Sequence, residues 1–489
     1  MILILLTLGL AYYVISYYAW VRKFPKGPKP LPLIGNLHQL NPRQLYMQFR
    51  KWSKVYGDVF TVFTPRPFVI ITNYEGIKEA FATKGEEFAG RMGTFPNTVF
   101  MQSGNNGGIL FSQGDRWKEA RRQSIHILRD FGMGKNLMEE QVKVCLTDLL
   151  DHIEAEHLNK ETSMRWPLQI FVSNVINKTL YNFSYSFNDC DRLLEFADNL
   201  QTLIETMKTN RATYMITNFP WMSKIPFFGW YGQGWFMNVS KALKRIVSED
   251  VANALKDYDV KDEPSCFVQA FHQRTMNTPS IADQTTDVAM DFFIAGSETT
   301  TTTLRWGLCY LADNLDVQEK VRAEIHSVIG RERIPNFADR TQMPYTQAAI
   351  MEIQRMASIL PLNLVHRTVC ETSVQGLSIP ENVLVWGQID GVLYMDPNFK
   401  NPETFDPTRF LLEDGKTFNK TTVERMVAFC IGKRQCAGEG LARMELFLVL
   451  AALFQRFKIE PSPGWKIDLT GIPGTVRLPS ENHYKVTKV

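Results

Sequence analysis

One cysteine of the sequence lies in a loop whose composition suits a reactive or metal-binding thiolate. Phe429, Gly432 and Arg434 precede Cys436, and Gly438 follows it. Glycines permit tight backbone turns and let the chain approach a ligand closely. A helix is predicted just beyond Cys436, and the N-terminal end of a helix favours a thiolate. Arg434 adds positive charge, so the sequence predicts a stabilised thiolate at Cys436.

The residues alone leave the chemistry of Cys436 open. A nucleophile needs a base partner, and none of the eight histidines is marked out for that role. A zinc site needs more ligands, but the sequence has no Cys-x-x-Cys or His-Glu-x-x-His pattern. A lone cysteine is most often a buried structural residue. That interpretation does not account for the glycines, arginine and phenylalanine around this one.

A second group of residues combines a carboxylate with hydroxyls on a predicted helix. The sequence AGSETT occupies 295–300, inside a stretch from 280 to 334 that contains no proline. Glycine costs about 1 kcal/mol inside a helix, and the five threonines of 299–303 are also poor helix formers. This local inconsistency predicts a functional break near Gly296. Thr299 and Glu298 are the groups that can relay protons there.

Two spacings place pairs of side chains on one helix face. Glu352 and Arg355 are three residues apart, so they can form an ion pair, although any exposed helix offers such a pair by chance. Trp117 and Arg121 are four residues apart, which puts an indole N–H and a guanidinium on the same face.

Composition excludes several classes of protein. The chain has 489 residues, of which 45% are apolar, so it is neither disordered nor a small disulfide scaffold. Its 54 basic and 51 acidic residues nearly cancel, and no basic tract suggests nucleic acid. The odd number of cysteines, seven, indicates a reducing compartment.

The N-terminal segment predicts a membrane anchor. Residues 1–21 carry no charged side chain, are long enough to span a bilayer, and are followed by Arg22 and Lys23. A cleaved signal peptide fits less well, because a basic n-region and a small-residue cleavage site are missing. We therefore expect a transmembrane signal anchor at 1–21 and a basic, proline-rich hinge at 22–36. A single catalytic domain on the cytosolic side is expected at 37–489.

Helical patterning dominates the body of the chain. Besides the long helix, the pattern predicts helices at 345–358 and after Cys436, with short β-type runs near 58–73 and 383–388. The expected fold is mainly α (α+β), with many helices and a small segregated β-sheet. The aromatic stretch 218–235 is predicted to be an apolar surface loop that dips into the membrane.

The cysteine window resembles that of the cytochrome P450 haem-thiolate monooxygenases, F-x-x-G-x-R-x-C-x-G, at all five fixed positions. Other elements of that family follow in the right order. Glu352-x-x-Arg355 is similar to its E-x-x-R pair, and 407–410 to its P-x-R-F element, which includes Arg409. The AGSETT sequence and the Trp117-x-x-x-Arg121 spacing are similar to two further elements. The resemblance covers essentially the entire chain and is nearest to animal microsomal members of the family 2 clan.

This resemblance assigns roles to single residues. It implies that Cys436 is the axial ligand of the iron of haem b, while Cys430, a rival thiolate, lacks the following glycine and helix start. The loop residues Phe429, Gly432 and Gly438 also belong to the haem site. Haem propionate partners are expected at Arg434, Trp117, Arg121, Arg91 and His366. Glu298 and Thr299 are expected to be catalytic, and Glu352, Arg355 and Arg409 structural.

The implied reaction inserts one oxygen atom of O2 into a lipophilic small molecule, such as a fatty acid, sterol or xenobiotic. The sequence has no nucleotide-binding signature, so NADPH is used indirectly, through NADPH–cytochrome P450 reductase, with cytochrome b5 as a second electron donor. The implied location is the endoplasmic reticulum membrane. A thiol hydrolase, a haem sensor and a haem-thiolate isomerase are the rival functions; the intact AGSETT sequence favours oxygen activation over the last two.

Two surfaces follow from the same resemblance. Basic residues near the haem-binding segments are expected to form a docking face for the electron donor, although scattered solvated charges explain them equally well: Arg116, Lys118, Arg122, Arg129 and Lys433. Apolar segments are expected to contact the substrate: 95–100, 218–235, Phe292, Phe293, 362–365 and Val476.

Overall fold

The computed structural model describes residues 1–94, 106–131, 136–472 and 474–489, and these are predominantly helical. The helices are α1 (Ile2–Val21), α2 (Leu45–Tyr56), α3 (Tyr74–Lys78), α4 (Gly114–Asp130), α5 (Asn136–Glu156), α6 (Arg165–Tyr181), α7 (Asp191–Thr209), α8 (Arg211–Asn218), α9 (Pro226–Phe228), α10 (Trp235–Leu255), α11 (Phe267–Thr275), α12 (Thr285–Asp313), α13 (Leu315–Val328), α14 (Pro344–Ala357), α15 (Ile389–Met395), α16 (Lys420–Glu424) and α17 (Glu439–Arg456). Short 3-10 and π turns connect several of them.

The strands form three small sheets, which confirms the predicted minor β component. They are β1 (Val59–Thr64), β2 (Arg66–Ile71), β3 (Gly90–Arg91), β4 (Glu161–Thr162), β5 (His366–Arg367), β6 (Thr372–Val374), β7 (Leu377–Ile379), β8 (Leu384–Gly387), β9 (Phe457–Pro461) and β10 (Tyr484–Lys488). The largest sheet has the order β1-β2-β8-β5-β3, and the others are β4-β10-β9 and β6-β7. Because β3 and β5 pair with Arg91 opposite His366, two distant sequence segments meet at one point.

The long helix α12 runs through the centre of the fold. It has 29 residues and packs against α6, α10, α14 and α17. The predicted break at Gly296 is wrong, because the helix is α-helical along its whole length. A Cβ atom at Gly296 would lie 2.5 Å from Cδ1 of Ile176 in α6. The glycine therefore allows close helix packing and does not distort the helix.

The other predicted helices occur close to their expected bounds. Helix α14 begins at Pro344, whose missing N–H costs nothing at a first helical position. It ends before Ser358, which adopts a left-handed conformation with φ of +38°. Helix α17 begins three residues after Cys436, and both its faces are buried.

Helix α1 is apolar and exposed along its length. Its 20 residues are long and apolar enough to cross a membrane, with a mean hydropathy of 1.8 in the most apolar window. The following proline-rich segment is held to the helix, since the Tyr18 hydroxyl donates to the Pro30 carbonyl at 3.1 Å. The rings of Trp20, Phe24 and Phe63 pack together where this segment meets β1.

The aromatic segment 218–235 was predicted to be a loop, but the structure shows short helical turns there. It consists of a 3-10 turn at Pro220–Lys224, the short helix α9 and a π turn at Gly229–Gly234. The prediction of an apolar surface is confirmed: the side chains of Trp221, Phe227, Trp230 and Tyr231 are exposed. Prolines and glycines interrupt a regular helix here, but they permit single helical turns.

Candidate active site

A cavity of about 570 Å³ lies between the cysteine loop and α12. Its size is typical of small-molecule sites, which are usually roughly 300–1,000 Å³. Cys436 lines this cavity, and so do Ala295, Gly296, Glu298 and Thr299 of α12. The structure therefore brings together the two groups of residues that the sequence singled out.

The cysteine loop is fixed by its glycine and by one backbone hydrogen bond. Gly432 has a φ of +84°, and a Cβ atom there would lie 1.7 Å from the carbonyl oxygen of Phe81. No other residue fits this position. The Cys436 amide donates to the Phe429 carbonyl at 3.0 Å, which closes the loop. Gly438 has open space where a side chain would be, and it borders the cavity.

The exposed surface of the Cys436 side chain borders this internal cavity. Burial raises the pKa of its thiol, while the Gly438 amide and the Arg121 charge oppose that shift. The cation that acts on the thiol is thus Arg121, whereas the sequence suggested Arg434. Cys430 also lines the cavity, and burial raises its pKa to about 12.

Three arginines gather at one edge of the cavity: Arg91 and Arg434 are buried, and Arg121 is partly buried. Arg91, Arg121 and Arg434 bond to backbone carbonyls, and none of them forms an ion pair with a described carboxylate. Burial first, and then Arg91 and Arg121, lower the pKa of Arg434 to about 7. Burial lowers that of Arg91 to about 10. Uncompensated buried cations are costly, so this edge fits an anionic ligand.

Two further polar side chains accompany the arginines. The Trp117 ring lies 3.5 Å from the Arg434 guanidinium carbon, and its buried Nε1–H has no described hydrogen-bond partner. His366 donates from Nδ1 to the Phe88 carbonyl at 2.8 Å, because a carbonyl can only accept. An orphaned indole donor beside a cluster of cations fits the two propionates of haem b.

The predicted triad is formed, with Glu352 and Arg355 completely buried and the side chain of Arg409 nearly so. Arg355 makes two bonds to Glu352, from Nε at 2.7 Å and from Nη2 at 2.9 Å. Arg409 donates from Nε to the same carboxylate at 3.0 Å. Both arginines also bond to backbone carbonyls, among them those of Leu393 and Thr404. The triad therefore ties α14 to α15 and to the segment that precedes Arg409.

The two predicted proton-relay side chains of α12, Glu298 and Thr299, make their hydrogen bonds within the helix. The Thr299 hydroxyl donates to the Ala295 carbonyl at 2.7 Å. Glu298 accepts from Thr302 at 3.3 Å, and burial raises its pKa while Arg305 opposes the shift. A carboxyl group that keeps its proton more readily is suited to donate one.

Comparisons with known proteins agree with this geometry. The family model described as "Cytochrome P450" matches residues 25–486. Rat "Cytochrome P450 2C55" is 37% identical over 468 residues, which cover 93% of this chain and 91% of the relative. Chicken "Cytochrome P450 2H2" is 36% identical, with coverages of 92% and 90%. Human "Cytochrome P450 2C8" is also 36% identical, with coverages of 94% and 93%.

The chain is a cytochrome P450. It is therefore a monooxygenase that uses haem b with a cysteine thiolate and acts on lipophilic small molecules. It receives electrons that derive from NADPH through a redox partner.

The substrate contacts of this cytochrome P450 were predicted in part. Phe292, Leu364, Val365 and Val476 line the cavity, but Phe293 packs instead against the ring of Phe196. The predicted contacts at 95–100 lie outside the described residues. No sequence pattern indicated that the β1–β2 face, Ile109 to Phe111 and residues of α7 and α8 also line the cavity.

Most of the predicted docking residues already have acidic neighbours. Arg116 pairs with Asp283, Arg122 with Glu119, and Lys118 and Lys433 with the carboxylate of Glu86. A partner that docks here competes with these surface ion pairs, each of which is worth little.

Proposed function

We propose that Cys436 is the axial haem ligand of a membrane-anchored monooxygenase of the endoplasmic reticulum. The observation that carries this proposal is that Cys436 and residues of the AGSETT sequence line one cavity, with unpaired cations at its edge. When bound, the haem supplies the activation of dioxygen, and the protein supplies position and protons.

The edge residues would hold the two propionates. Arg91, Arg121, Arg434 and the Trp117 indole offer donors in a buried place where charge-assisted bonds are strong. To donate a hydrogen bond to a propionate, His366 must carry a second proton. Its Nδ1–H donates to the Phe88 carbonyl, so Nε2 can donate only in the imidazolium form. Burial and Arg91 lower the pKa of His366, and a nearby propionate would raise it again.

Glu298 and Thr299 would supply protons to the dioxygen that is being reduced. Both line the same cavity as Cys436. The Thr299 hydroxyl uses its hydrogen for the Ala295 carbonyl, so its oxygen is free to accept from a water and hold it in place. Glu298 would resupply that water with a proton.

The domain organisation follows from the two apolar surfaces. We assign 1–21 to the membrane anchor, 22–36 to the hinge and 37–489 to a catalytic domain on the cytosolic side. The exposed aromatic side chains of 218–235 would enter the same bilayer. The cavity extends to Thr217 and Asn218 at the start of this segment, so a lipophilic substrate would enter from the membrane.

The electron donor would be NADPH–cytochrome P450 reductase, with cytochrome b5 as a second partner. The basic side chains Lys118, Arg122 and Lys433 are half exposed on the cysteine-loop side and would meet an acidic partner. Scattered solvated charges remain the alternative for this face.

Reconstitution with the reductase in lipid vesicles tests the function. With NADPH and oxygen-18 gas, a panel of lipophilic compounds should yield products that carry one oxygen-18 atom. Products without the label, or turnover without NADPH, would contradict the monooxygenase assignment and favour the isomerase.

A further inference from the structure

Two histidines meet at the C-terminal end of α5, outside the candidate active site. The Nε2 atoms of His152 and His157 lie 3.3 Å apart, while the centres of their rings are 5.1 Å apart and the ring planes are inclined by 67°. The two nitrogens therefore face each other across a short gap. This gap is slightly longer than most hydrogen bonds in proteins, which span about 2.7–3.2 Å. Neither histidine lines the cavity that contains Cys436.

Neighbouring side chains hold both rings in this orientation. The Nδ1 atom of His157 hydrogen-bonds to the Thr162 hydroxyl, which itself donates to the Ser163 carbonyl at 3.4 Å. Because that hydroxyl donates elsewhere, Nδ1 carries the proton and Nε2 of His157 keeps its lone pair. The ring of His152 stacks on that of Phe187, with the ring centres 4.3 Å apart and the planes inclined by 16°. One hydrogen bond and one stacking contact thus fix where the two Nε2 atoms point.

The separation of the nitrogens matches that of two ligands on one metal ion. Two imidazoles that bind a tetrahedral zinc ion at about 2.1 Å place their nitrogens about 3.4 Å apart. The bond from Nδ1 of His157 to Thr162 is also typical of a metal-binding histidine, whose second nitrogen is usually hydrogen-bonded. Neutral imidazole is a preferred ligand of zinc.

The electrostatic surroundings suit a cation. Burial lowers the pKa of both histidines, and the charge of Glu156 only partly opposes this shift. The imidazoles are therefore neutral near pH 7, which is the form that binds metal. The amide of His157 still donates to the Ile153 carbonyl at 3.0 Å, so the pair lies at the C-terminal end of α5, where the helix dipole favours positive charge. Both side chains remain partly exposed, so an ion can reach them.

We propose that His152 and His157 together bind a zinc ion, with water in its remaining coordination positions. Among the described residues, no group of three His, Cys, Asp or Glu side chains can hold a metal, so this site has two protein ligands and stays open. We expect it to bind zinc more weakly than a closed site with four protein ligands. Thr162 belongs to β4, which pairs with β10. The ion would thus fix the end of α5 beside this sheet, a structural role that is separate from the monooxygenase reaction.

Equilibrium dialysis of the haem-loaded full chain against zinc-65 tests the proposal, with protein that carries no polyhistidine tag. The wild type should bind one zinc ion more than His152→Asn and His157→Asn do at the same concentration of free zinc. The carbon monoxide spectrum of each variant checks that it is folded and loaded with haem.

Two further variants separate the pair from histidines in general. Thr162→Val keeps both imidazoles but removes the hydroxyl that orients His157, and loss of such an outer contact typically weakens metal binding about 10–100-fold. His126→Asn removes an exposed imidazole from α4 and should change nothing. X-ray absorption at the zinc edge of the wild type identifies the ligands without any substitution, so the test does not depend on the folding of a variant. It should show two imidazole nitrogens, with oxygen in the other positions.

Three results would overturn the inference. The first is equal zinc binding by the wild type, His152→Asn and His157→Asn, which would leave a plain hydrogen bond between the two imidazoles. The second is loss of the ion in His126→Asn. The third is a sulfur ligand in the X-ray absorption spectrum, which would assign the zinc to a cysteine elsewhere in the chain.

Discussion

Thr299 lies where a single hydroxyl can control the fate of dioxygen. Thr299→Ala should keep the fold and the haem, because alanine suits a helix better than threonine does. Without the hydroxyl, NADPH consumption should continue while product falls and hydrogen peroxide rises. All three are measured in one reconstituted assay.

Thr301→Ala is the matched control for this prediction. Its hydroxyl also donates to a carbonyl four residues earlier, that of Ser297, but Thr301 does not line the cavity. We expect unchanged product per NADPH in this control. An unchanged ratio in Thr299→Ala as well would exclude Thr299 from the proton path.

Glu352 should be essential for folding and not for chemistry. Glu352→Ala leaves Arg355 buried without its carboxylate, a type of change that costs roughly 3–5 kcal/mol. The yield of haem-loaded protein should therefore fall sharply. Glu119→Ala removes an exposed Glu–Arg pair of the same spacing and should cost about 1 kcal/mol or less. Comparable haem loading in the two variants would show that the triad is not needed.

At the scale of single residues, fixed motifs were easier to predict than neighbours. The sequence predicted roles for Cys436 and the Glu352 triad because each occurs in a pattern with fixed spacing, and the structure places Cys436 at the cavity and forms the ion pairs of the triad. It assigned the cation beside Cys436 to Arg434, two residues away in the chain. The structure gives that position to Arg121, which reaches the loop from α4. Motif spacing cannot predict contacts between residues that are far apart in the chain.

Gly296 illustrates the same limit at the scale of elements. The sequence suggested a distorted helix, whereas the structure explains the glycine by the approach of α6 to α12. A buried polar contact crosses the same interface, where Gln169 Nε2 donates to Ser297 at 2.9 Å and Ser173 also meets that hydroxyl. The sequence alone does not distinguish a glycine that allows close helix packing from one that breaks a helix.

Gly296→Ala should therefore destabilise the enzyme, although alanine is the better helix former. The added Cβ collides with Cδ1 of Ile176, and overpacking of a core typically costs about 1–3 kcal/mol. Thermal unfolding of the haem-loaded variant should show a lower midpoint. Ile176→Val removes Cδ1, so the double variant should recover most of the loss. A midpoint above that of the wild type in Gly296→Ala alone would mean that α6 does not constrain this position.

At the scale of the whole molecule, two apolar surfaces should bind one membrane. Deletion of 1–21 should weaken flotation with lipid vesicles without abolishing it, because the exposed rings of Trp221, Phe227, Trp230 and Tyr231 remain. Replacing these four by serine in the truncated protein should release it. Complete solubility of the truncated protein with its aromatic side chains intact would contradict a membrane role for 218–235.

The fold class of the whole chain was predictable because its long helices have strong patterns. The location of α12, α14 and α17 follows from proline spacing and apolar periodicity. The outer half of the cavity was not predictable. It is built from β1, β2, α7 and α8, whose apolar residues look like ordinary core in the sequence.

The absorption spectrum of the reduced, carbon monoxide-treated protein tests the central claim most directly. The wild type should show the red-shifted Soret band of thiolate ligation. Cys436→Ala should lose that band, and Cys430→Ala, which removes the other cysteine of the same cavity, should keep it. Loss of the band in Cys430→Ala and its retention in Cys436→Ala would contradict the assignment of the haem ligand.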